Sequence, residues 1–107
     1  MRSLSLVIAA AATLASAGLA FAASDRVTDS QYIAAARCTG LAEGAGQASG
    51  PFEAFLKAQA RGRSGAVADR ADSVRDKARH SARIANQSQR TTFAQELSGA
   101  CAAYSAG

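Results

Sequence analysis

Apolar side chains along most of this chain recur at helical intervals, and no stretch alternates with period two. Ile33, Ala34, Cys38 and Leu41 fall within one face of a first helix. Thr28 or Asp29 can cap it, because each carries an oxygen for the first free backbone N–H groups. That helix is expected to fade near Glu43, with Cys38 turned inward. Residues 44–50, Gly-Ala-Gly-Gln-Ala-Ser-Gly, then read as a flexible linker. A phosphate-binding loop would need a preceding strand and a lysine before Ser or Thr, which are missing. Pro51 suits the first turn of a second helix, where Phe52, Phe55, Leu56 and Gln59 follow at i, i+3, i+4 and i+7. Arg61-Gly62-Arg63-Ser64-Gly65 is turn-like and ends it.

The longest helical segment begins at Ala66 and meets no proline, and no glycine before Gly99. Its inner face is Val67, Ala71, Val74, Ala78, Ala82 and Ala85, a near-heptad spacing of mostly small residues. A last face follows in Phe93, Leu97, Ala100, Cys101 and Tyr104. The polar run Asn86–Thr92 between them is weakly helical. We read a break or kink there, with Thr92 and Gln95 as a capping box; one continuous helix over 66–105 is the alternative. The fold class is all-α: a small bundle of three or four helices over residues 29–107, after a flexible start at 23–28.

The N-terminus is different in kind. Met1-Arg2-Ser3, an apolar stretch from Leu4 to Leu19 and Ala20-Phe21-Ala22 make the three parts of a secretory signal peptide, residues 1–22, cut between Ala22 and Ala23. Ala15-Ser16-Ala17 is a second acceptable cleavage triplet, and an uncleaved membrane anchor is the rival reading. The expected destination is the bacterial periplasm or the exterior. Large aliphatic side chains in the remainder are few and alanine is abundant, so the core is thin and calls for a staple. Cys38 and Cys101 are the only cysteines. In an oxidising compartment they imply one disulfide joining the first and last helices, with buried free thiols as the alternative. Closing so long a loop would contribute ~4 kcal/mol in the chain-entropy account.

Charge singles out one surface. The chain carries a formal net charge of +4, and much of the excess lies between Arg61 and Arg90. Arg75, Arg79 and Arg83 follow at i, i+4 and i+8 and line one helix edge, where like charges repel by a few tenths of a kcal/mol per pair. They are the candidate site for an anion or an acidic partner. The competing reading is a solvated face neutralised by Asp72–Arg75 and Asp76–Arg79. Nucleic acid is not expected, since no aromatic residue between Phe55 and Phe93 offers a stacking platform. Nor is stable membrane insertion expected after cleavage, because the opposite face is alanine and valine.

His80 is the only histidine. With Asp76, Ser73 and Ser81 on neighbouring turns it does not make a triad, which needs groups converging from a rigid scaffold. One histidine and a bridged cysteine pair leave no zinc set. No cofactor, no metal and no catalytic residue is expected.

The pattern Tyr32-x4-Arg37-Cys38-x2-Leu41 with the distal Cys101 resembles small exported, single-disulfide helical proteins of alphaproteobacteria, a group without an assigned function. The resemblance therefore implies export and a helical fold, and carries no site across. Acid-stress chaperones of the HdeA type share the size, compartment and single bridge, but the residues between the cysteines differ; the LTxxQ motifs of Spy-type chaperones are missing as well. The expectation is a non-enzymatic binding protein of the cell envelope, its partner an envelope protein or an anionic surface; the alternative is a periplasmic stress chaperone.

Overall fold

A computed structural model describes residues 26–105. The signal peptide at 1–22, its cleavage between Ala22 and Ala23 and the start at 23–25 lie outside the described residues. Four α-helices and a terminal 3-10 segment follow one another: α1 Asp29–Gly44, α2 Gly50–Gln59, α3 Gly65–Arg83, α4 Gln87–Ser98, and the 3-10 turn Ala100–Tyr104. The all-α expectation is met, with four α-helices among the described residues.

Local chemistry sets the ends. Thr28 caps α1 through a reciprocal box: its hydroxyl accepts from the Gln31 N–H at 3.1 Å, while Gln31 Oε1 accepts from the Thr28 N–H at 2.9 Å. The exit from α1 is a Schellman turn. Gly46 takes φ +74°, its N–H donates to Glu43 O, and Gln47 N–H donates to Ala42 O at 2.9 Å. Ser64 caps α3 by accepting from Val67 N–H at 3.2 Å.

Three sequence expectations need correction. Residues 26–28 are not a loose start: Val27 is buried, its N–H donates to Gln59 Oε1 at 3.1 Å, and Arg26 donates to the Arg61 carbonyl at 2.6 Å. The break in the long segment lies at 84–86, because Asn86 and Gln89 form the capping box with bonds of 2.9 and 3.0 Å. Thr92 does not cap; its hydroxyl donates to Ser88 O inside α4 at 3.2 Å. Finally, α4 ends at Ser98, so Cys101 sits in the 3-10 turn and not on the last α-helix. The disulfide joins it to Cys38 of α1 across 63 positions of sequence, with Cα atoms 5.7 Å apart. Such bonds form and persist in oxidising compartments outside the cytoplasm.

The first helix is the centre of the bundle. Tyr32, Ala35, Ala36, Cys38, Thr39, Gly40, Leu41 and Ala42 are all buried, a wider surface than the single face its periodicity suggests. Ile33 and Ala34, assigned to that face, are only half-buried. The reason is that α2, α3, α4 and the 3-10 turn all pack on it. Thr39, fully buried, satisfies its hydroxyl on the Ala35 carbonyl at 2.8 Å.

The main packing is α1 on α3, and it is set by glycine. A Cβ at Gly40 would lie 2.2 Å from the Arg75 carbonyl oxygen, and one at Gly44 would lie 2.2 Å from that of Arg79. Backbone meets backbone at these two points, flanked by Ala78 and Ala82. The register advances in the same direction on both helices, so α1 and α3 run parallel and α2 carries the return. Both helices therefore end together, close to where α4 begins. Ala71, Ala78 and Ala82 are buried as the inner face of α3, while Val67 and Val74 are half-buried; Ala85, assigned to the same face, is buried in the break beyond the helix end. Phe52 and Leu56 of α2 are buried, and Phe55 meets Tyr104 edge-on with ring centroids 5.3 Å apart. Among the described residues no helix is long and apolar enough to cross a membrane.

Candidate functional site

Arginines that lie between elements are answered by acceptors from another part of the fold. Arg37 of α1 makes a two-pronged pair with Glu96 of α4, at 2.7 and 3.0 Å. Arg63, from the turn before α3, has a side chain only 3% exposed. Its guanidinium lies 4.8 Å from the Tyr32 ring centroid and donates to Val27 O at 2.8 Å, Gln59 O at 2.9 Å and Asp29 Oδ1 at 2.7 Å. One side chain thus ties the entry of α1 to the exit of α2.

The proposed basic edge is divided by the same logic. Arg75 donates through Nε and Nη2 to the two oxygens of Glu43 on α1, at 3.0 and 2.5 Å. Arg79 reaches Glu43 Oε1 at 3.4 Å and Asp76 Oδ1 at 2.6 Å. Of the two same-helix pairs read from the sequence, Asp76–Arg79 forms, and Arg75 takes Glu43 from across the interface. The Glu43 carboxylate is held below the usual range, first by the Arg75 hydrogen bonds and then by the charges of Arg75 and Arg79, which together outweigh its desolvation. Conversely, the bonds to Glu43 and Glu96 raise Arg75 and Arg37.

Arg83 stands apart from this network. It occupies the last turn of α3, where a cation complements the negative end of the helix dipole. Together with Arg90 of α4 it lines a cleft of about 460 Å³, whose other walls include Gly44, Ala82, Phe93 and Leu97. Arg90 is anchored by its Nε, which donates to the Ala85 carbonyl at 3.1 Å. Among the described residues neither Arg83 nor the terminal nitrogens of Arg90 meet a carboxylate, and no acidic residue lines the cleft. The floor is carbon: Phe93 and Leu97 pack on the cluster of Leu41, Ala78 and Ala82. The close approach at Gly44 brings the end of α1 to this spot.

The remaining candidates do not converge. His80, Ser73 and Ser81 are exposed on α3, and Asp76, placed one turn from His80, bonds to Arg79 instead. Cys38 and Cys101 are joined and buried. Among the described residues no three His, Cys, Asp or Glu side chains gather as a metal site requires. Sequence reasoning missed Arg37, Glu43, Arg63 and Arg90 as participants. Only Arg63 and Arg90 carried a signal, as members of the basic segment.

Compared with known proteins, the chain matches no family model, no characterised sequence and no solved structure.

Proposed function

We propose that this chain is a non-enzymatic binding protein of the cell envelope, working outside the cytoplasm and recognising an anionic group at the α3–α4 end of its bundle. One observation carries the reading: Arg83 and Arg90 line a cleft with a carbon floor and no carboxylate in its wall. The disulfide supports the oxidising compartment. In this reading the basic edge Arg75–Arg79–Arg83 has two duties. Arg75 and Arg79 hold α3 to α1 through Glu43, and Arg83 passes the positive charge on to the cleft.

The test is capture from envelope extracts on immobilised, disulfide-bonded protein. A component retained at low salt, released at high salt and lost with the R83Q/R90Q double variant is the expected result. Retention that ignores both salt and the two substitutions would remove the reading. A second reading, a stress chaperone, is supported by the alanine-rich core of Ala35, Ala36, Ala71, Ala78 and Ala82, which buries little area per residue and could open. It requires suppression of client aggregation at acid pH or after reduction, in R83Q/R90Q as well as in the wild type.

A further inference from the structure

The fold supplies a rule and a conspicuous exception to it. Four arginines that bridge separate helices or turns, Arg37, Arg63, Arg75 and Arg79, each have a carboxylate partner. Arg83 and Arg90 also come from separate helices to one cleft, yet have none. The protein charges that reach the cleft do not cancel theirs. α1 and α3 both end here, and a helix C-terminus carries about half a negative charge. Two arginines exceed two such ends by about one positive charge, before the positive N-terminal end of α4 is counted. Both side chains are exposed, so water solvates them in the free protein, and the charge left over is complementary to a ligand carrying about one negative charge.

The walls say what that charge is attached to. Phe93, Leu97, Ala82 and Ala94 supply hydrocarbon, which a hydrated inorganic ion cannot use. A volume of about 460 Å³ lies within the usual range for small organic ligands, about 300–1,000 Å³. The site is concave, whereas a bilayer would meet a flat or convex surface. We propose that the cleft binds a single-chain amphiphilic carboxylate: the carboxylate between Arg83 and Arg90, the hydrocarbon over Phe93 and Leu97. Arginine suits this head group because its planar fork matches two carboxylate oxygens. The proposal rests on the binding-protein reading above and gives it a ligand class.

The probe is decanoate, titrated into the disulfide-bonded protein and followed by calorimetry and by amide shifts in ¹⁵N spectra. Saturable one-site binding is expected, with shifts concentrated at Gln47, Ala82, Arg90, Phe93 and Leu97. Decanol, which keeps the tail and lacks the charge, should bind about tenfold more weakly or worse, as should inorganic phosphate, which keeps the charge and lacks the tail. R83Q and R90Q should each lose about tenfold for decanoate, while R70Q, on the exposed part of α3, should lose nothing. Equal affinity for decanoate and decanol, shifts spread elsewhere, or no saturation overturns the proposal. So does sedimentation with phosphatidylglycerol vesicles in the absence of decanoate binding, which would make the surface a bilayer contact. Salt-sensitive envelope capture that R83Q/R90Q abolishes, without decanoate binding, would remove the carboxylate ligand and leave the binding-protein reading standing.

Discussion

Replacing Gly40 by alanine adds one methyl group, and the geometry says where it goes: 2.2 Å from the Arg75 carbonyl oxygen and 3.0 Å from the Ala78 Cβ. Non-bonded atoms do not approach that closely, so α3 must retreat from α1 by roughly 1 Å at the point where backbone meets backbone. A gap of that size forfeits a quarter to a half of each dispersion contact it opens. The contacts at risk are those of Leu41, Ala78 and Ala82. Overpacking of this kind costs about 1–3 kcal/mol, and alanine returns at most about 1 kcal/mol through its better helix propensity. With that gain taken in full, the expected net loss is about 0–2 kcal/mol, centred near 1 kcal/mol. That corresponds to a fall in Tm of about 4–8 °C per kcal/mol for a domain of this size.

The assay is urea and thermal unfolding followed by circular dichroism, with the disulfide intact. Gly44→Ala should behave alike, since its Cβ meets the Arg79 carbonyl oxygen at 2.2 Å and Ala82 at 2.8 Å. The double variant should lose less than the sum, because one displacement of α3 relieves both clashes. Gly65→Ala is the control: nothing lies within 4 Å of a Cβ there, so it should be neutral or slightly stabilised. A Gly40→Ala protein more stable than the wild type would refute the close helix crossing, and with it the placement of the α1 end against the cleft.

Three further outcomes are expected. Removing the bridge with Cys38→Ser and Cys101→Ser should cost ~4 kcal/mol, a large part of the stability of so small a domain, and an unchanged urea midpoint would refute the staple. Glu43 titrates lower when folded than when unfolded, so its contribution is complete above the unfolded value near 4.5 and is lost as pH falls through the folded one. Stability should therefore hold from about pH 7 to 5 and then decline. Glu43→Gln should be less stable at neutral pH and decline less steeply in acid; parallel curves would count against the pairing. Arg63→Lys keeps the charge but loses the fork and the stack on Tyr32, and should cost about 1–3 kcal/mol in chemical denaturation, against almost nothing for Arg70→Lys.

The properties that could be read in advance belong to single segments. Helical spacing found α1, α2 and the start of α3 and left open whether α4 was separate, Pro51 and Gly62 marked the boundaries of α2, and two cysteines implied the bridge. What escaped is what two segments do to each other. Glu43 looked like the fading end of a helix, and nothing local to it announces Arg75 and Arg79, 32 and 36 positions on. Gly44 read as linker because glycine ends helices. Here it serves contact instead, as the last of the small residues Ala36, Gly40 and Gly44 that set the α1–α3 approach. Arg63 sat in a turn motif that said nothing of Tyr32 or Asp29, more than 30 positions before it.

The candidate site lay in the one region where the sequence left two alternatives open. In a single helix over 66–105, Arg83 and Arg90 would ride seven residues apart along one rod, and Phe93 and Leu97 would continue along it, away from the end of α1. The Asn86–Gln89 box decides against that arrangement: it stops α3 at Arg83 and starts α4 afresh at Gln87. The restart lets Arg90, Phe93 and Leu97 close round Gly44, Ala45 and Arg83. An N-cap of this kind is worth about 1 kcal/mol, a small amount beside the packing of the bundle. It is nevertheless the choice that converts a basic helix edge into a cleft with a carbon floor.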